Sequence, residues 1–409
     1  MAFFFFRILL FLYHGSITEI AAGDVKGELK MEIVKHLAGT IGERWAGRRG
    51  AAEAAAYLYS RFASLPLEVE QQDFPFLGWE IDQEPRLEIL EPDPFEAAVA
   101  LMEYSGSTLP KGIEGQLRAA GIAKIVPGFL EWPRYEVINS KGEVEAYLIV
   151  HIGLAGWEAP PIPLMNPMPF YPYPMAIMAE ADHRRIQRWV EQRKPIRVRF
   201  RCQGHAATFR GRNVVATLPG RSEQSVVFCA HLDSAYKSPG ANNNAGGVQA
   251  LYDLALNMSK ESSHRLTYRF LACDACEWGF LGSRFFLQNA EDRGYMKNIL
   301  AGINIDTVAS GDSFLFLAWP DSMHRRAEWV VDQLDLRKAF KQVEYLDRLA
   351  GSDHHSFIEA GIPAAEILFW PCEVYKLPED DMNHVNETLI RRSVEIAAAL
   401  VKTFEEESK

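Results

Sequence analysis

The sequence predicts an α/β fold, a mostly parallel twisted sheet with helices on both faces. The first indication is a pair of short apolar runs: VVFCA precedes His231, and residues 268–275 precede Glu277. Runs of this kind are typical of buried strands. The second indication is the helical spacing of apolar residues over 248–258, followed by alternating strand and helix patterns to the C-terminus. A parallel sheet covered on both faces produces this alternation.

Polar motifs follow several of the predicted strands. Open α/β sheets place their sites at the carboxyl ends of the strands, so we expect these motifs to share one cleft. In chain order the motifs are HLDS with His231 and Asp233, GANNNAGG with Asn243, CEWGFLGS with Cys276 and Glu277, NIDT with Asp306, SDH with Ser352, Asp353 and His354, and YKLPED with Lys376.

The order and spacing of these motifs over residues 31–401 resemble the M28 family of zinc aminopeptidases, which includes glutaminyl-cyclase-like members. The family pattern runs His-x-Asp-Ser, Gly-Ala-x-Asp-Asn-x-Ser-Gly, Glu-Glu-x-Gly-x-x-Gly-Ser, an Asp after a strand, Ser-Asp-His, and Tyr-His-Thr-Pro-x-Asp. Residues 37–75 also look like the family's first helix and strand. The resemblance implies a peptidase-like core whose cleft, in the family, holds two zinc ions.

The resemblance implies roles for the residues that match the pattern. His231 stands where the family has its first zinc-ligating imidazole, and Asp233 where a carboxylate orients that ring. Glu277 and Asp306 match the ligand Glu and the ligand Asp. These four residues are the retained part of the predicted metal site.

A Ser-Asp-His segment also matches the family, where such residues lie beside the cleft and orient the substrate or the groups behind the ligands. Here the segment is Ser352, Asp353 and His354. Substrate binding is therefore one role that we expect for Ser352 and His354. The other is a loop cluster of hydrogen bonds without a chemical role.

Three family positions hold different residues in this chain. The bridging Asp falls on Asn243, the general-base Glu on Cys276, and the last ligand His on Lys376. Zinc takes about four ligands from carboxylate, imidazole and thiolate groups. An amide carbonyl brings no charge, and a protonated ammonium has no free lone pair. We therefore expect no zinc, or at most one, where the family uses two.

Lys376 suggests what replaces the metal. If its ammonium reaches the former metal position, it neutralises Glu277 or Asp306, whose burial as unpaired charges costs several kcal/mol. This alignment predicts an ion pair within about 4 Å. His384 is the rival for the same family position, but the gapless match puts it in the turn before the last helix, as a surface or cap residue.

Cys276 has three open roles. It could fill the volume of the missing Glu, ligate zinc as a thiolate, or act as a nucleophile beside a histidine. The sequence favours the filler role because nearby carboxylates would raise the thiol pKa. Cys273 forms a C-x-x-C with it. We expect Cys273 to be a core residue, since free cysteine packs like a small hydrophobe.

Residues 79–200 depart from the core pattern and look like the protease-associated insert of some M28 proteins. The predicted core then comprises residues 31–78 and 201–409. Within the insert, residues 160–174 are rich in proline and aromatics and predict an extended loop. A helix is expected over 180–192, a strand over 196–200, and an edge strand over 210–220. The insert could cover the cleft, act only as structure, or present a partner surface.

The N-terminal residues 1–30 are an apolar leader or reflect a mis-assigned start, with Met31 as the natural one. Their apolar run, of about twelve residues, is too short to span a ~30 Å bilayer, so we expect no transmembrane helix. The five cysteines look like reduced thiols, which favours the cytoplasm. If residues 1–22 are a signal peptide, the protein is exported.

Composition and motifs together define three functional hypotheses. The net charge of −11 argues against nucleic-acid binding. The leading hypothesis is an M28-like protein that is inactive as a two-zinc peptidase and keeps a cleft for a peptide or small amine. The alternatives are a hydrolase with a single metal or Cys276 chemistry, and an interaction protein that uses the insert. The oligomeric state is not predicted.

Overall fold

The computed structural model describes residues 31–126, 130–153, 158–165, 172–261, 263–347 and 351–406. It contains one compact unit over Ile33–Lys409 and a second unit over Met1–Glu32, of which Met31 and Glu32 are described. The predicted leader, and residues 166–171 of the proline-aromatic loop, lie outside the described residues. Within the described ranges, no helix has the length and apolar character needed to cross a membrane.

The two predicted helices are present, and their ends lie within two residues of the expected ones. Residues 248–258 lie within the helix Gly246–Met258, and residues 180–192 contain the helix Glu180–Glu191. The α-helices are α1 (Glu32–Val34), α2 (Arg49–Ala63), α3 (Glu180–Glu191), α4 (Gly246–Met258), α5 (Leu281–Asp292), α6 (Asp321–Gln333), α7 (Leu336–Ala339), α8 (His354–Glu359) and α9 (Glu387–Glu406). Lys35–Ile41 and Ala241–Ala245 form π-helical turns, and Met296–Asn298 and Met382–His384 form 3₁₀ turns.

The strands of the described residues belong to one large sheet. They are β1 (Glu68–Glu91), β2 (Phe95–Ala97), β3 (Val99–Glu103), β4 (Ile113–Val126), β5 (Leu130–Ile138), β6 (Val144–Val150), β7 (Leu164–Met165), β8 (Met175–Met178), β9 (Arg197–Leu218), β10 (Ser225–His231), β11 (Thr267–Cys273), β12 (Ile299–Asp306), β13 (Ser313–Trp319), β14 (Gln342–Asp347) and β15 (Ala364–Trp370).

The sheet confirms the predicted α/β class. Its order is β14-β13-β15-β12-β10-β11-β9-β4-β5-β6-β8-β3-β7, with β1 paired to β2 and β9. The centre is parallel: β10 pairs in parallel with β11 and β12, and β12 pairs in parallel with β15. Every residue of β10 is buried, as expected for a strand with both faces covered.

The predicted edge strand over 210–220 is wrong. These residues continue β9, which is hydrogen-bonded to β1 on one side and to β11 on the other. The first part of β9 alternates, with Val198, Phe200 and Cys202 inside and arginines outside. Its second part contains buried Val214, Val215 and Ala216, an apolar run expected where both faces of a strand are covered.

The proposed division into core and insert stays a prediction. Both expected boundaries fall inside continuous strands, since β1 runs through residues 78 and 79 and β9 runs through residues 200 and 201. These two strands pair from Glu68 opposite Thr217 to Glu91 opposite Arg197. The segment between them is therefore joined to the central sheet by a two-stranded antiparallel ladder.

Asp253 on α4 is a buried carboxyl group away from the cleft. It is 3% exposed, and its Oδ1 accepts a hydrogen bond of 3.0 Å from Gln249 Nε2. Its Oδ2 has no hydrogen-bond partner among the described residues. Burial raises the pKa of Asp253 to about 7, although the Gln249 hydrogen bond opposes the shift.

The raised pKa of Asp253 predicts a loss of stability as pH rises. The unfolded chain releases this proton near pH 4 and the folded chain near pH 7, so the free energy of unfolding falls by about 4 kcal/mol between them. Asp253→Asn stays neutral and should remove this part of the pH dependence. Urea unfolding at a series of pH values measures the difference from wild type.

Asp292→Asn is the matched control, because Asp292 is exposed on α5. It should follow the wild-type profile. A parallel pH profile for Asp253→Asn and wild type would contradict the assignment.

Candidate functional site

The predicted cleft residues converge at the carboxyl ends of the central strands. His231 is the last residue of β10 and Asp306 is the last residue of β12. Cys276 and Glu277 follow β11, which ends at Cys273. Because β10 lies between β11 and β12, these side chains reach one edge of the sheet, the usual place for a site in this fold class.

His231 is 1% exposed and is surrounded by acceptor atoms. Its Nδ1 lies 3.0 Å from the carbonyl oxygen of Asp233 and 3.3 Å from Oδ1 of the same residue. Its Nε2 lies 3.1 Å from Asn243 Oδ1 and 3.5 Å from Asp306 Oδ1. Burial disfavours the charged ring, but the carboxylates of Asp306 and Asp233 outweigh it and raise the pKa of His231 well above its usual value. The ring is an imidazolium that donates from both nitrogens.

Asn243 lies between the imidazole and a carboxylate. Its Oδ1 faces His231, while its Nδ2 donates a hydrogen bond of 3.2 Å to Glu277 Oε1. Its backbone N–H donates to Asp380 Oδ2 at 3.0 Å, and that of Asn242 donates to Asp380 Oδ1 at 2.8 Å. Asp380 therefore fixes the turn that holds the Asn243 amide in place.

Lys376 donates to Glu277 Oε2, in agreement with the ion pair expected from the sequence. The side chains are 15% and 6% exposed. Burial disfavours the ammonium, but the charge of Glu277 outweighs it and raises the pKa of Lys376 above its usual value. Lys376 is therefore a permanently charged group next to the carboxylate that matches a family ligand.

Asp306 pairs with the imidazole instead of Lys376. Its Oδ2 accepts from Ser352 Oγ at 2.6 Å and its Oδ1 from Thr307 Oγ1 at 3.0 Å. Ser352 in turn accepts from Asn304 Nδ2 at 2.8 Å. Burial would raise the pKa of Asp306, but the charge of His231 outweighs burial and lowers it, so this carboxyl stays ionised.

Asp233 orients the loop after β11 as well as the His231 ring. Its carboxylate accepts from the backbone N–H of Cys276 at 3.2 Å and from that of Glu277 at 3.0 Å. This side chain is fully buried. One carboxylate thus sets the position of His231 at the end of β10 relative to the loop after β11.

Cys276 is a buried neutral thiol. It is 6% exposed, and its Sγ lies 3.8 Å from Ser352 Oγ. Burial, with the added repulsion of the nearby carboxylates of Asp353 and Asp233, raises the pKa of Cys276 well above its usual value. Cys273 is fully buried in an apolar cluster with Leu271 and Phe286, as the sequence predicted.

The other predicted residues lie around this cluster. Asp353 accepts a 2.5 Å hydrogen bond from Ser283 Oγ, and His354 Nδ1 lies 3.0 Å from Glu366 Oε2, with all of these groups buried. His384 is a surface residue as expected, since its side chain is 45% exposed beside Asp381. Of the Ser-Asp-His segment, Ser352 is the member that donates to a site carboxylate.

Arg44 is a structural residue of the site that sequence reasoning missed. It is fully buried. Its guanidinium donates to the backbone carbonyls of Leu232 at 2.8 Å and Gly240 at 3.0 Å, at the two ends of the loop after β10. Burial lowers the pKa of Arg44 to about 10, opposed by the charges of Asp380 and Asp233. Its partners are backbone atoms distant in sequence, so no local motif indicates them.

The fold and the cleft define a class of protein, an α/β protein with a polar site at the carboxyl ends of parallel strands. Residues 213–401 match the family model described as Peptidase family M28. A Peptidase M28 precursor from Shewanella amazonensis SB2B has a TM-score of 0.74 at 16% identity over 94% of each chain. An aminopeptidase from Aneurinibacillus sp. strain AM-1 has a TM-score of 0.65 at 21% identity, covering 91% of this chain and 93% of that one.

Curated aminopeptidase sequences also match part of the chain. A probable lipoprotein aminopeptidase, LpqL, of Mycobacterium tuberculosis is 32% identical over 189 residues, 42% of this chain and 37% of that protein. Aminopeptidase YwaD of Bacillus subtilis is 26% identical over 186 residues, 43% of this chain and 40% of that protein. The match thus spans about two fifths of each curated relative. Residues 213–401 therefore match Peptidase family M28, and the fold of the described residues is that of M28 aminopeptidase structures.

The Lys376–Glu277 contact predicts a large stability effect. Lys376→Ala would leave the Glu277 carboxylate buried without its counter-charge, which should lower the free energy of unfolding by about 3–5 kcal/mol. Chemical denaturation at neutral pH measures the change. Lys338→Ala is the control, because the Lys338 side chain is 81% exposed and its surface ion pair contributes about 0–1 kcal/mol.

The double variant Lys376→Met, Glu277→Gln removes both charges and should be more stable than Lys376→Ala. If Lys376→Ala unfolds like the Lys338→Ala control, the buried ion pair has been wrongly assigned.

Proposed function

We propose that this M28-like protein is inactive as a two-zinc peptidase and that its cleft binds a peptide or small amine without hydrolysing it. One observation carries the proposal: a continuous chain of hydrogen bonds and ion pairs occupies the atoms that would ligate metal. Lys376 contacts Glu277, Asn243 contacts both Glu277 and His231, and the ring of His231 lies beside Asp306.

Two protonated side chains take the place of metal charge in this arrangement. The imidazolium of His231 is the counter-charge of Asp306, and the ammonium of Lys376 is the counter-charge of Glu277. An Asp at position 243 could accept from both sides but could not donate to Glu277. An Asn accepts from His231 and donates to Glu277, so its amide matches both neighbours. The replacements at positions 243 and 376 are therefore mutually compatible.

The donor set fits zinc poorly. Among the residues that the structure describes, no group of three or more His, Cys, Asp or Glu side chains is placed to hold a metal ion. A zinc ion at His231 would have to displace the Asn243 amide oxygen, which lies 3.1 Å from Nε2, and one at Glu277 would have to displace an ammonium. The position of the Asn243 amide also disfavours the single-metal alternative at His231 and Asp306.

The thiol alternative has little support. A nucleophilic cysteine needs a lowered pKa and access to its substrate, whereas Cys276 is buried and its pKa is raised. Burial of Cys276 agrees instead with a role in filling the volume of the missing Glu side chain.

The role of the insert as a partner surface, the cytoplasmic location, and the number of zinc ions stay predictions.

Metal analysis and an activity assay on freshly purified protein test the proposal together. We expect substoichiometric zinc and no chelator-sensitive hydrolysis of leucyl-anilide. The reason is that the side-chain atoms of His231, Glu277 and Asp306 are already paired with protein groups. Two bound zinc ions together with chelator-sensitive hydrolysis of leucyl-anilide would contradict the proposal.

Rebuilding the family residues should restore metal binding. The triple variant Asn243→Asp, Cys276→Glu, Lys376→His returns the bridging carboxylate, the general base and the missing imidazole at once. We expect it to bind zinc in a calorimetric titration. Lys376→His alone should not hydrolyse leucyl-anilide, since it lacks the bridge and the base. Failure of the folded triple variant to bind zinc would show that other features block the site.

A further inference from the structure

A cavity of about 920 Å³ lies outside the cleft, between the loop before β4 and the strands β4, β6 and β9. Its described lining residues all fall between positions 107 and 201, whereas the predicted cleft residues begin at His231. Small-ligand sites in proteins have volumes of roughly 300–1,000 Å³. The cavity is therefore large enough for an organic molecule of several residues and much larger than an inorganic ion.

A tight turn places Lys111 at one corner of this cavity. The turn is closed by the Gly112 N–H, which donates to the Leu109 carbonyl at 2.8 Å, and the φ of Gly112 is +82°, where glycine is favoured. A Cβ at position 112 would lie 2.6 Å from Arg201 Cγ and 2.7 Å from the Phe200 carbonyl oxygen. This close packing sets Lys111 beside the stem of Arg201, and both side chains line the cavity.

Both of these cations have N–H groups that no protein atom uses. Lys111 is exposed and has no hydrogen-bond or ion-pair partner in the described parts of the chain. Arg201 donates from Nη2 to Glu88, while its Nη1 has no partner in the same ranges. The neighbouring Arg199 differs, because all three of its guanidinium nitrogens donate to Glu88 or Glu114. An oxyanion in the cavity would therefore meet two donors, Lys111 and Arg201.

The charges around the cavity favour a ligand with one negative charge. The two arginines form ion pairs with two glutamates, so these four groups balance one another. Of the other lining residues, Lys111 is cationic and Glu145 on β6 is a carboxylate, which accepts a 3.2 Å hydrogen bond from Asn139 Nδ2. A single anionic group can neutralise Lys111, whereas Glu145 would repel a second one.

The remaining walls match a peptide better than a hydrocarbon chain. Leu109 lines the cavity next to Lys111 and is 67% exposed, so it can cover an apolar side chain of the ligand. Glu114, Glu145 and Arg199 also line the cavity, and a hydrocarbon chain against them would remove charged groups from water without replacing their hydrogen bonds. A peptide has a terminal carboxylate, an apolar side chain and amide groups in one molecule.

We propose that this cavity binds the C-terminal carboxylate of a peptide. Lys111 and Arg201 hold the carboxylate, and Leu109 contacts the last side chain. A planar carboxylate matches the edge of a guanidinium, and an ammonium adds a second charge-assisted hydrogen bond. The inference goes beyond the proposed function, because it assigns a second site whose ligand need not enter the cleft. The site should distinguish a peptide acid from the corresponding amide, which has no negative charge.

Isothermal titration calorimetry on the full chain tests this assignment with N-acetyl-L-alanyl-L-alanyl-L-leucine and its C-terminal amide. We expect the acid to bind wild type and the amide to bind at least ~10-fold more weakly. Lys111→Gln and Arg201→Gln should each weaken binding of the acid by ~10-fold or more, as expected for the loss of a charged hydrogen bond. Arg201→Lys keeps the charge without the fork and should lie between wild type and Arg201→Gln.

Arg118→Gln is the matched control, since Arg118 is an exposed arginine of β4 that pairs with Glu136 and lies outside the described lining. It should bind the acid like wild type. Lys111 is on an exposed turn, so Lys111→Gln keeps the test decisive if Arg201→Gln does not fold.

Several results would overturn the inference. These are no binding of the acid by wild type, equal binding of the amide, or unchanged binding by Lys111→Gln. Displacement of the acid by inorganic phosphate at equal concentration would show an adventitious anion only, and octanoate that binds as tightly as the acid would assign the cavity to a fatty acid. Failure of the proposed function is recognised separately, by two bound zinc ions and chelator-sensitive hydrolysis of leucyl-anilide.

Discussion

Charge burial is the constraint on which the arrangement of this cleft depends. His231, Asp233 and Asp306 are at most 6% exposed, and the Lys376–Glu277 pair is nearly as shielded. An ion removed from water costs several kcal/mol unless an opposite charge and good hydrogen bonds compensate. The groups contact one another in the order Lys376 ammonium, Glu277 carboxylate, Asn243 amide, His231 imidazolium and Asp306 carboxylate. This order meets the requirement, because each charged group faces an opposite charge or a dipole of the right direction. Replacing any of these groups would leave its neighbours without the charge or hydrogen-bond partner that compensates for their burial.

The framework that holds this order consists largely of backbone contacts. Asp233 accepts two consecutive N–H groups of the loop after β11, and Asp380 accepts two consecutive N–H groups of the turn at Asn243. Arg44 donates to the carbonyls of Leu232 and Gly240, which precede this turn in the chain. These contacts hold the Asn243 amide between His231 and Glu277.

Sequence reasoning predicted the parts of the protein that local patterns encode. The helical spacing before Met258 and the apolar run before His231 were sufficient for the α/β class, and the segment YKLPED was sufficient to place Lys376 beside Glu277. It was wrong about residues 210–220, because an edge strand and a strand with two neighbours differ only in what lies beside them. Arg44 could not be found in this way, because its significance comes from burial and from partners that are far away along the chain.

The segment between β1 and β9 also determines the electrostatic environment of the cleft. Trp278, next to Glu277, is 2% exposed and packs against Tyr104 from that segment and Phe76 from β1, at ring distances of 5.5 Å and 5.8 Å. Gly78 on β1 lies against the ring of Phe209, where an added Cβ would be 2.5 Å from a ring carbon, so the close packing requires glycine. An ion pair exposed to water contributes about 0–1 kcal/mol, whereas loss of one partner of a buried pair costs several times more. By excluding water beside Glu277, this aromatic packing makes the Lys376 ammonium necessary as the counter-charge of a buried carboxylate.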